Sequence, residues 1–239
     1  MQRYFGQIIS GQVLLGDDDI FHLTKVMRAR LHDQFEVVSD ERVFLCEVSG
    51  FKPLTIEVKK EIKENHELKN QVILIAAMVK GEKMDLILQK ATELGVSEIV
   101  LLSTERTIVK IKPAEKELKL ERYRRILKEA AEQCKRTKIP MLYRVLDMKN
   151  IKDVDAQVKM IAYEEESGAT ESFNSIVRSI KDKQKVAIVV GPEGGFSREE
   201  VDIAIDAGYK PVSLGKRILR AETASFYALS VIANHLERK

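Results

Sequence analysis

A chain of 239 residues has room for one large domain or two small ones, and its 44% hydrophobic content is enough for a sizeable core. Twelve glycines and five prolines exclude a low-complexity or fibrous chain. The net charge of +3 is unevenly spread: residues 1–70 carry ten Lys/Arg against twelve Asp/Glu, whereas residues 106–144 carry thirteen against five. A basic segment of that size can attract a polyanion, and it also fits an ordinary solvated helix face.

The first 70 residues read as mostly strand. Gln12–Leu15, Gln34–Ser39, 43–49 and Leu54–Ile62 are short, rich in Val, Ile and Phe, and separated by polar turns, which fits a small β-barrel. One short helix interrupts them, with Asp19 as its cap and Ile20, Leu23, Val26 and Met27 as its buried stripe. Residues 63–70 form a polar linker, so the expected division is 1–70 and 71–239. Beyond it the rhythm changes. Residues 72–78 are a continuous apolar run, as in a strand buried on both faces. A helix follows with Met84, Ile87, Leu88, Ala91 and Leu94 on one face, closed by Gly95. After a strand at Glu98–Ser103 comes the cleanest periodicity, at 118–135: Tyr123, Ile126, Leu127, Ala130, Ala131 and Cys134 share one face, and Arg122, Arg124, Arg125 and Lys128 the other. Strands at 160–163, 186–190 and 210–214 alternate with helices at 172–180, 197–207 and 224–235. That alternation predicts an α/β domain with a mostly parallel sheet covered on both faces.

Several classes are disfavoured. The opening residues lack an apolar signal-peptide core, and no stretch approaches the roughly 18 apolar residues of a membrane helix. Cys46 and Cys134 are far apart and outside any CxxC pattern, so neither a metal site nor a disulfide framework is expected, and the default compartment is a reducing cytoplasm.

Open α/β sheets bind ligands at the carboxyl ends of their strands, and two such ends are distinctive. The first reads Gly191-Pro192-Glu193-Gly194-Gly195-Phe196, followed by Ser197 and, three residues on, Glu200, a capping box for the next helix. It is neither GxGxxG nor a P-loop; it fits a tight turn and a ligand loop equally well. The second runs Leu214-Gly215-Lys216-Arg217-Ile218-Leu219-Arg220-Ala221-Glu222-Thr223 into a helix that Thr223 could cap. Arg220 and Glu222 there form either a weak surface pair or part of a second ligand loop, with Ile218 and Leu219 as an apolar wall. His22 beside an apolar stripe reads as a packed or capping histidine rather than a catalyst.

These two loops resemble signatures of the RsmE family of ribosomal RNA uridine-N3 methyltransferases. The likeness extends along the chain through Arg3 in the opening MQRYF, His22 to Arg28, Lys80 to Met84, Gln89 to Gly95, Ser103 to Arg106, and Glu132 to Arg136. His32-Asp33 departs from the family's usual Gly-Asp at a turn. The resemblance implies a PUA-like, RNA-binding N-terminal barrel and a C-terminal SPOUT domain with a deep trefoil knot. It also implies a homodimer, S-adenosylmethionine as cofactor without a metal, and ribosomal RNA or the small ribosomal subunit as partner. The cofactor residues would be Gly191, Pro192, Glu193, Gly194, Gly195, Leu214, Gly215, Arg217, Ile218, Leu219 and Thr223. Arg220 is the first catalytic candidate, with Glu222 and Arg3. For Lys25, Arg28, Arg106, Arg124, Arg125, Lys128 and Arg136, phosphate contact is the functional reading and solvated surface the alternative. A SPOUT enzyme acting on ribose 2′-hydroxyls and a non-catalytic RNA-binding assembly factor remain open.

Overall fold

The computed structural model describes residues 1–109, 113–163 and 172–238. The chain divides into two compact units: Met1–Glu67 with Ala131–Lys138, and Leu68–Ala130 with Ile139–Lys239.

In the first unit, β1 (Arg3–Ile9), β2 (Gln12–Leu15), β3 (Gln34–Ser39), β4 (Arg42–Phe51) and β5 (Leu54–Ile62) close into a barrel in the order β1-β2-β5-β4-β3. β1 is an addition to the strands read from sequence. Alternation along β3 and β4 sends Phe35, Val37, Cys46 and Val48 inward, where they meet Tyr4 and Leu23. The Tyr4 ring stands edge-on to Phe35 with centroids 5.6 Å apart, and its hydroxyl lies 2.9 Å from His22 Nδ1. His22 is thus a packed histidine. Burial is the largest influence on the Tyr4 hydroxyl and raises its pKa, and the Asp19 and Glu132 charges add to this. The interposed helix, α1 (Asp17–Phe21), starts after Gly16 with three aspartates in its first turn, and Asp19 is buried within it rather than capping it. It continues as a π-helical turn over His22–Val26, in which Met27 N–H donates to the His22 carbonyl at 2.8 Å. The wider turn shifts the helical period. Leu23 stays in the core, but Val26 and Met27, expected there too, are 57% and 52% exposed.

Buried ion pairs tie the first unit together. Arg3 faces Glu36 in the β1–β3 register, and its Nε donates to Glu36 Oε2 at 2.9 Å. Its Nη2 pairs with Glu64, and its Nη1 donates to the Lys135 carbonyl. Arg136 pairs with Glu67 through Nη2 at 2.6 Å, and Glu67 also accepts the Thr137 N–H at 2.9 Å. Burial raises the Glu67 carboxyl, but the Arg136 hydrogen bond and charge and the two backbone donors outweigh it, leaving the pKa below its ordinary value.

The second unit holds a six-stranded sheet, every strand pair parallel, in the order β11-β9-β10-β6-β7-β8. Its strands are β6 (Gln71–Ala77), β7 (Glu98–Ser103), β8 (Met141–Asp147), β9 (Val158–Ala162), β10 (Lys185–Val190) and β11 (Lys210–Val212). β8, at one edge, was not expected. Side-chain alternation feeds two cores. Val72, Leu74, Val186 and Ile188 face one side, under α2 (Glu82–Glu93), α3 (Lys116–Gln133), α4 (Phe173–Ser179) and α6 (Ala221–Glu237). Ile73, Ile75, Ala187 and Val189 face the other, under α5 (Arg198–Asp206) and the short turn Met148–Asp153. Fully burying each of the Val, Leu and Ile side chains among these stabilises by about 1.5–3 kcal/mol. The buried amide of Asn70 donates to the Lys181 and Gln184 carbonyls at 2.7 and 3.0 Å, anchoring the start of β6 to the turn before β10. No described helix is long and apolar enough to cross a membrane. Cys46 and Cys134 are free thiols.

Candidate active site

Because the strands are parallel, their carboxyl ends share one edge of the sheet, and a cavity of about 320 Å³ opens there. It is lined by the residues that follow β10 and β11, by Ala162 and Tyr163 at the end of β9, and by Arg106 beyond β7. Ten of the expected cofactor positions line it together: Gly191, Pro192, Glu193, Gly194, Gly195, Leu214, Gly215, Arg217, Ile218 and Leu219. Arg220 lines it too.

The glycine loop is a four-residue turn closed by Gly195 N–H donating to the Pro192 carbonyl at 3.0 Å, and Gly195 has φ +67. That conformation costs an L-residue roughly 1–2 kcal/mol. Gly194 is glycine for another reason: a Cβ there would lie 3.2 Å from the Arg106 Cβ. Arg106 Nη1 donates to the Gly194 carbonyl at 2.9 Å, so strand ends from β7 and β10 are stitched directly. Glu200 adds a second stitch. It completes the capping box of α5, accepting the Ser197 N–H at 3.0 Å, and its other oxygen accepts the Glu105 N–H at 2.8 Å. Glu193 pairs with Lys83 at 3.0 Å. Burial raises its carboxyl, but the Lys83 hydrogen bond, a backbone donor and the Lys83 and Lys80 charges prevail and lower the pKa.

On the opposite side, Ser213 bridges to both backbone groups of Gly215, at 3.2 and 3.3 Å. Leu219 packs against the core, whereas Ile218 is 83% exposed, so the expected apolar wall is Leu219 with Ile218 only at the rim. Arg220, not Thr223, occupies the N-cap position of α6. Thr223 lies exposed in the first turn and does not line the cavity. Glu222 Oε2 in that turn is buried without a hydrogen-bond partner among the described residues.

Two catalytic or RNA-contact expectations are corrected by burial. The Arg3 side chain is 0% exposed and held by Glu36, Glu64 and the Lys135 and Arg136 carbonyls, a structural role in the first unit rather than the catalytic one expected. Arg136, with 4% of its side chain exposed, is likewise a structural partner of Glu67 rather than a phosphate contact. Lys25 and Arg28 are exposed on the first unit. On α3, Arg124 is exposed but pairs with Glu117 at 2.7 Å, Arg125 is exposed, and Lys128 is half-buried. The sequence does not point to Tyr163, Phe196, Lys83 or the second contact of Glu200 at the site, and Arg106, expected to contact RNA, lines the cavity.

The profile of the RNA methyltransferase domain family matches residues 66–233, and that of the RNA methyltransferase PUA domain matches residues 15–59. Ribosomal RNA small subunit methyltransferase E of Bacillus subtilis is 33% identical over 253 aligned positions, covering 99% of this chain and 98% of that protein. The chain belongs to the RsmE family. Two solved structures share its fold end to end. A Legionella pneumophila protein described as a methyltransferase, in complex with its bound cofactor S-adenosylmethionine, is 30% identical, with a TM-score of 0.88 and coverage of 98% of this chain and 97% of that one. An RsmE from Neisseria gonorrhoeae, bound to S-adenosylmethionine, is 27% identical, with a TM-score of 0.85 and the same coverage. The barrel is therefore the PUA-like part of an RsmE fold and the parallel sheet its SPOUT-like methyltransferase part.

Proposed function

We propose that this RsmE-family chain uses S-adenosylmethionine to methylate uracil N3 of a uridine in small-subunit (16S) ribosomal RNA. The observation that carries the reading is the convergence of both signature loops on one cavity at the carboxyl edge of the sheet. The cavity fits such a cofactor: its size is in the range of small-molecule sites, backbone groups of two glycine-containing turns line it, and Leu219 gives it an apolar wall. S-adenosylmethionine would supply a sulfonium-activated methyl group. The protein must help remove the N3 proton or stabilise the anion left behind, and align the reacting atoms. In this reading Arg220, an exposed residue of the cavity lining, is the candidate to face the uracil oxygens, and Glu222, whose Oε2 has no hydrogen-bond partner among the described residues, is the candidate to orient an arginine or accept the proton. N3 lies on the pairing edge, so the base must arrive unpaired or extruded. Lys25 and Arg28 on the barrel and Arg124, Arg125 and Lys128 on α3 are the phosphate contacts of this reading. It includes a homodimer and a deep trefoil knot in the methyltransferase part.

The test is methylation of 16S RNA and of intact small subunits from cells lacking the modification, followed by nucleoside mass spectrometry. 3-Methyluridine is expected. A 2′-O-methyl nucleoside, or no product while S-adenosylmethionine binds, would overturn the reading.

A further inference from the structure

Three cationic side chains line the cavity: Arg106, Arg217 and Arg220. All three are exposed, and the side chains of Arg217 and Arg220 have no hydrogen-bond or ion-pair partner among the described residues, while the Arg220 carbonyl accepts the Ala224 N–H at 2.8 Å. Arg106 is held at both ends. Its backbone sits in a tight turn where Thr104 N–H donates to Thr107 Oγ1 at 3.0 Å, the two buried hydroxyls meet at 2.8 Å, and Thr107 N–H returns to the Thr104 carbonyl at 3.1 Å. The neighbouring Glu105 N–H is fixed by Glu200 at 2.8 Å. Its guanidinium is aimed by the bond to the Gly194 carbonyl at 2.9 Å. A guanidinium has five N–H donors. One is committed here, to a neutral acceptor, and no carboxylate among the described residues pairs with this charge. A cation aimed in this way in a cavity wall, with no carboxylate partner among the described residues, needs little reorganisation when negative charge develops beside it.

We infer that Arg106 is a catalytic residue of the methyl transfer, binding the anionic form of the target base through its uncommitted donors. The inference rests on the function proposed above. In that reaction the imide nitrogen gives its proton to water, and its electron pair forms the bond to the methyl carbon. The carbon–sulfur bond breaks with its pair going to sulfur. Before transfer, the negative charge is spread over the nitrogen and its two flanking carbonyl oxygens, which are the acceptors an arginine fork can reach. Arg106 thereby favours an acidic base nitrogen over a ribose hydroxyl, whose charge has no such flanking oxygens.

Arg106→Gln tests this, because glutamine can still donate to the Gly194 carbonyl but carries no charge. With folding checked by circular dichroism, S-adenosylmethionine affinity is measured by calorimetry and kcat is followed against pH with both substrates saturating. The expected result is a kcat lower by about 10²–10³-fold and an acid limb moved to higher pH, with part of the rate restored in Arg106→Lys. A kcat and acid limb unchanged in Arg106→Gln overturn the inference whatever happens to cofactor affinity, leaving Arg106 as a support for the glycine turn. If Arg106→Gln does not fold, Arg106→Met, neutral and of similar bulk, takes its place, and an unaltered acid limb and rate overturn the inference. A wild-type enzyme that makes no methylated base at all would count against the proposed function instead.

Discussion

Replacing Glu200 by alanine should loosen the site from behind. Glu200 is 7% exposed, and its two oxygens serve two backbone donors, Ser197 N–H at 3.0 Å and Glu105 N–H at 2.8 Å. Hydrogen bonds to a charged group contribute about 1.5–3 kcal/mol each. Both are only partly buried, so water will take over some of the loss, and the lower figure applies. Two bonds then give about 3 kcal/mol, while the Ser197 hydroxyl continues to cap α5 through its 3.4 Å bond from the Glu200 N–H, which alanine retains. Glu200→Gln keeps one acceptor and should lose about half as much. With a urea m-value of about 2 kcal/mol/M, the Glu200→Ala midpoint should fall by about 1.5 M, read by circular dichroism because the chain has no tryptophan. S-adenosylmethionine affinity should fall in the same order, alanine below glutamine below wild type, since Glu105 and Arg106 are then free to move away from Gly194. A destabilisation under about 1 kcal/mol in Glu200→Ala would refute the reasoning by showing that solvent substitutes for the carboxylate in full.

Gly194→Val pushes a branched side chain against the Arg106 stem, where even a Cβ would stand at 3.2 Å; calorimetry should show cofactor affinity lost in a folded protein. The barrel should be acid-sensitive through Glu67: its folded pKa lies below the ordinary 4.5, so the stabilisation is complete above that value and disappears as pH falls below it. Denaturation midpoints of Glu67→Gln should therefore be lower than wild type near neutral pH and converge with it as the pH falls below 4.5 through the lowered folded pKa. Changing Arg124, Arg125 and Lys128 together to Glu should weaken RNA binding and flatten its log–log salt dependence by about 2–3, without altering cofactor affinity; an unchanged slope places the RNA footprint elsewhere.

What was legible in the sequence follows from which forces are local. Strands buried on both faces announce themselves as unbroken apolar runs, and the box of Ser197 and Glu200 lies within one turn, so the parallel sheet and α5 are readable. β1 is harder. Its first two residues, Arg3 and Tyr4, are both buried, which breaks the alternation, and a leading arginine reads as surface. β8 sits at the sheet edge with an irregular register against β7. The roles given to Arg3 and Arg136 failed for a non-local reason: Glu36, Glu64 and Glu67, which neutralise them, lie 33 to 69 positions away. Arg106 shows the converse. Its Ser103 to Arg106 motif was visible, but only the fold brings it to Gly194, 88 positions on.

The barrel draws on residues 131–138, and this makes its assembly an ordered event in time. A nascent chain that has just released residue 67 has made all five barrel strands, yet the carbonyls of Lys135 and Arg136 that hold Arg3, and the guanidinium that answers Glu67, are still unmade. At about 5–20 residues per second the ribosome adds them only some 4–14 s later. Until then Glu67 lacks the Arg136 charge, and the early barrel has its strand ladders, its apolar interior and the Arg3 pairs with Glu36 and Glu64 but not this lock. The same dependence governs protein engineering. A fragment cut at residue 70 ends as an incomplete shell, whereas a graft that carries 131–138 along brings its own keystone.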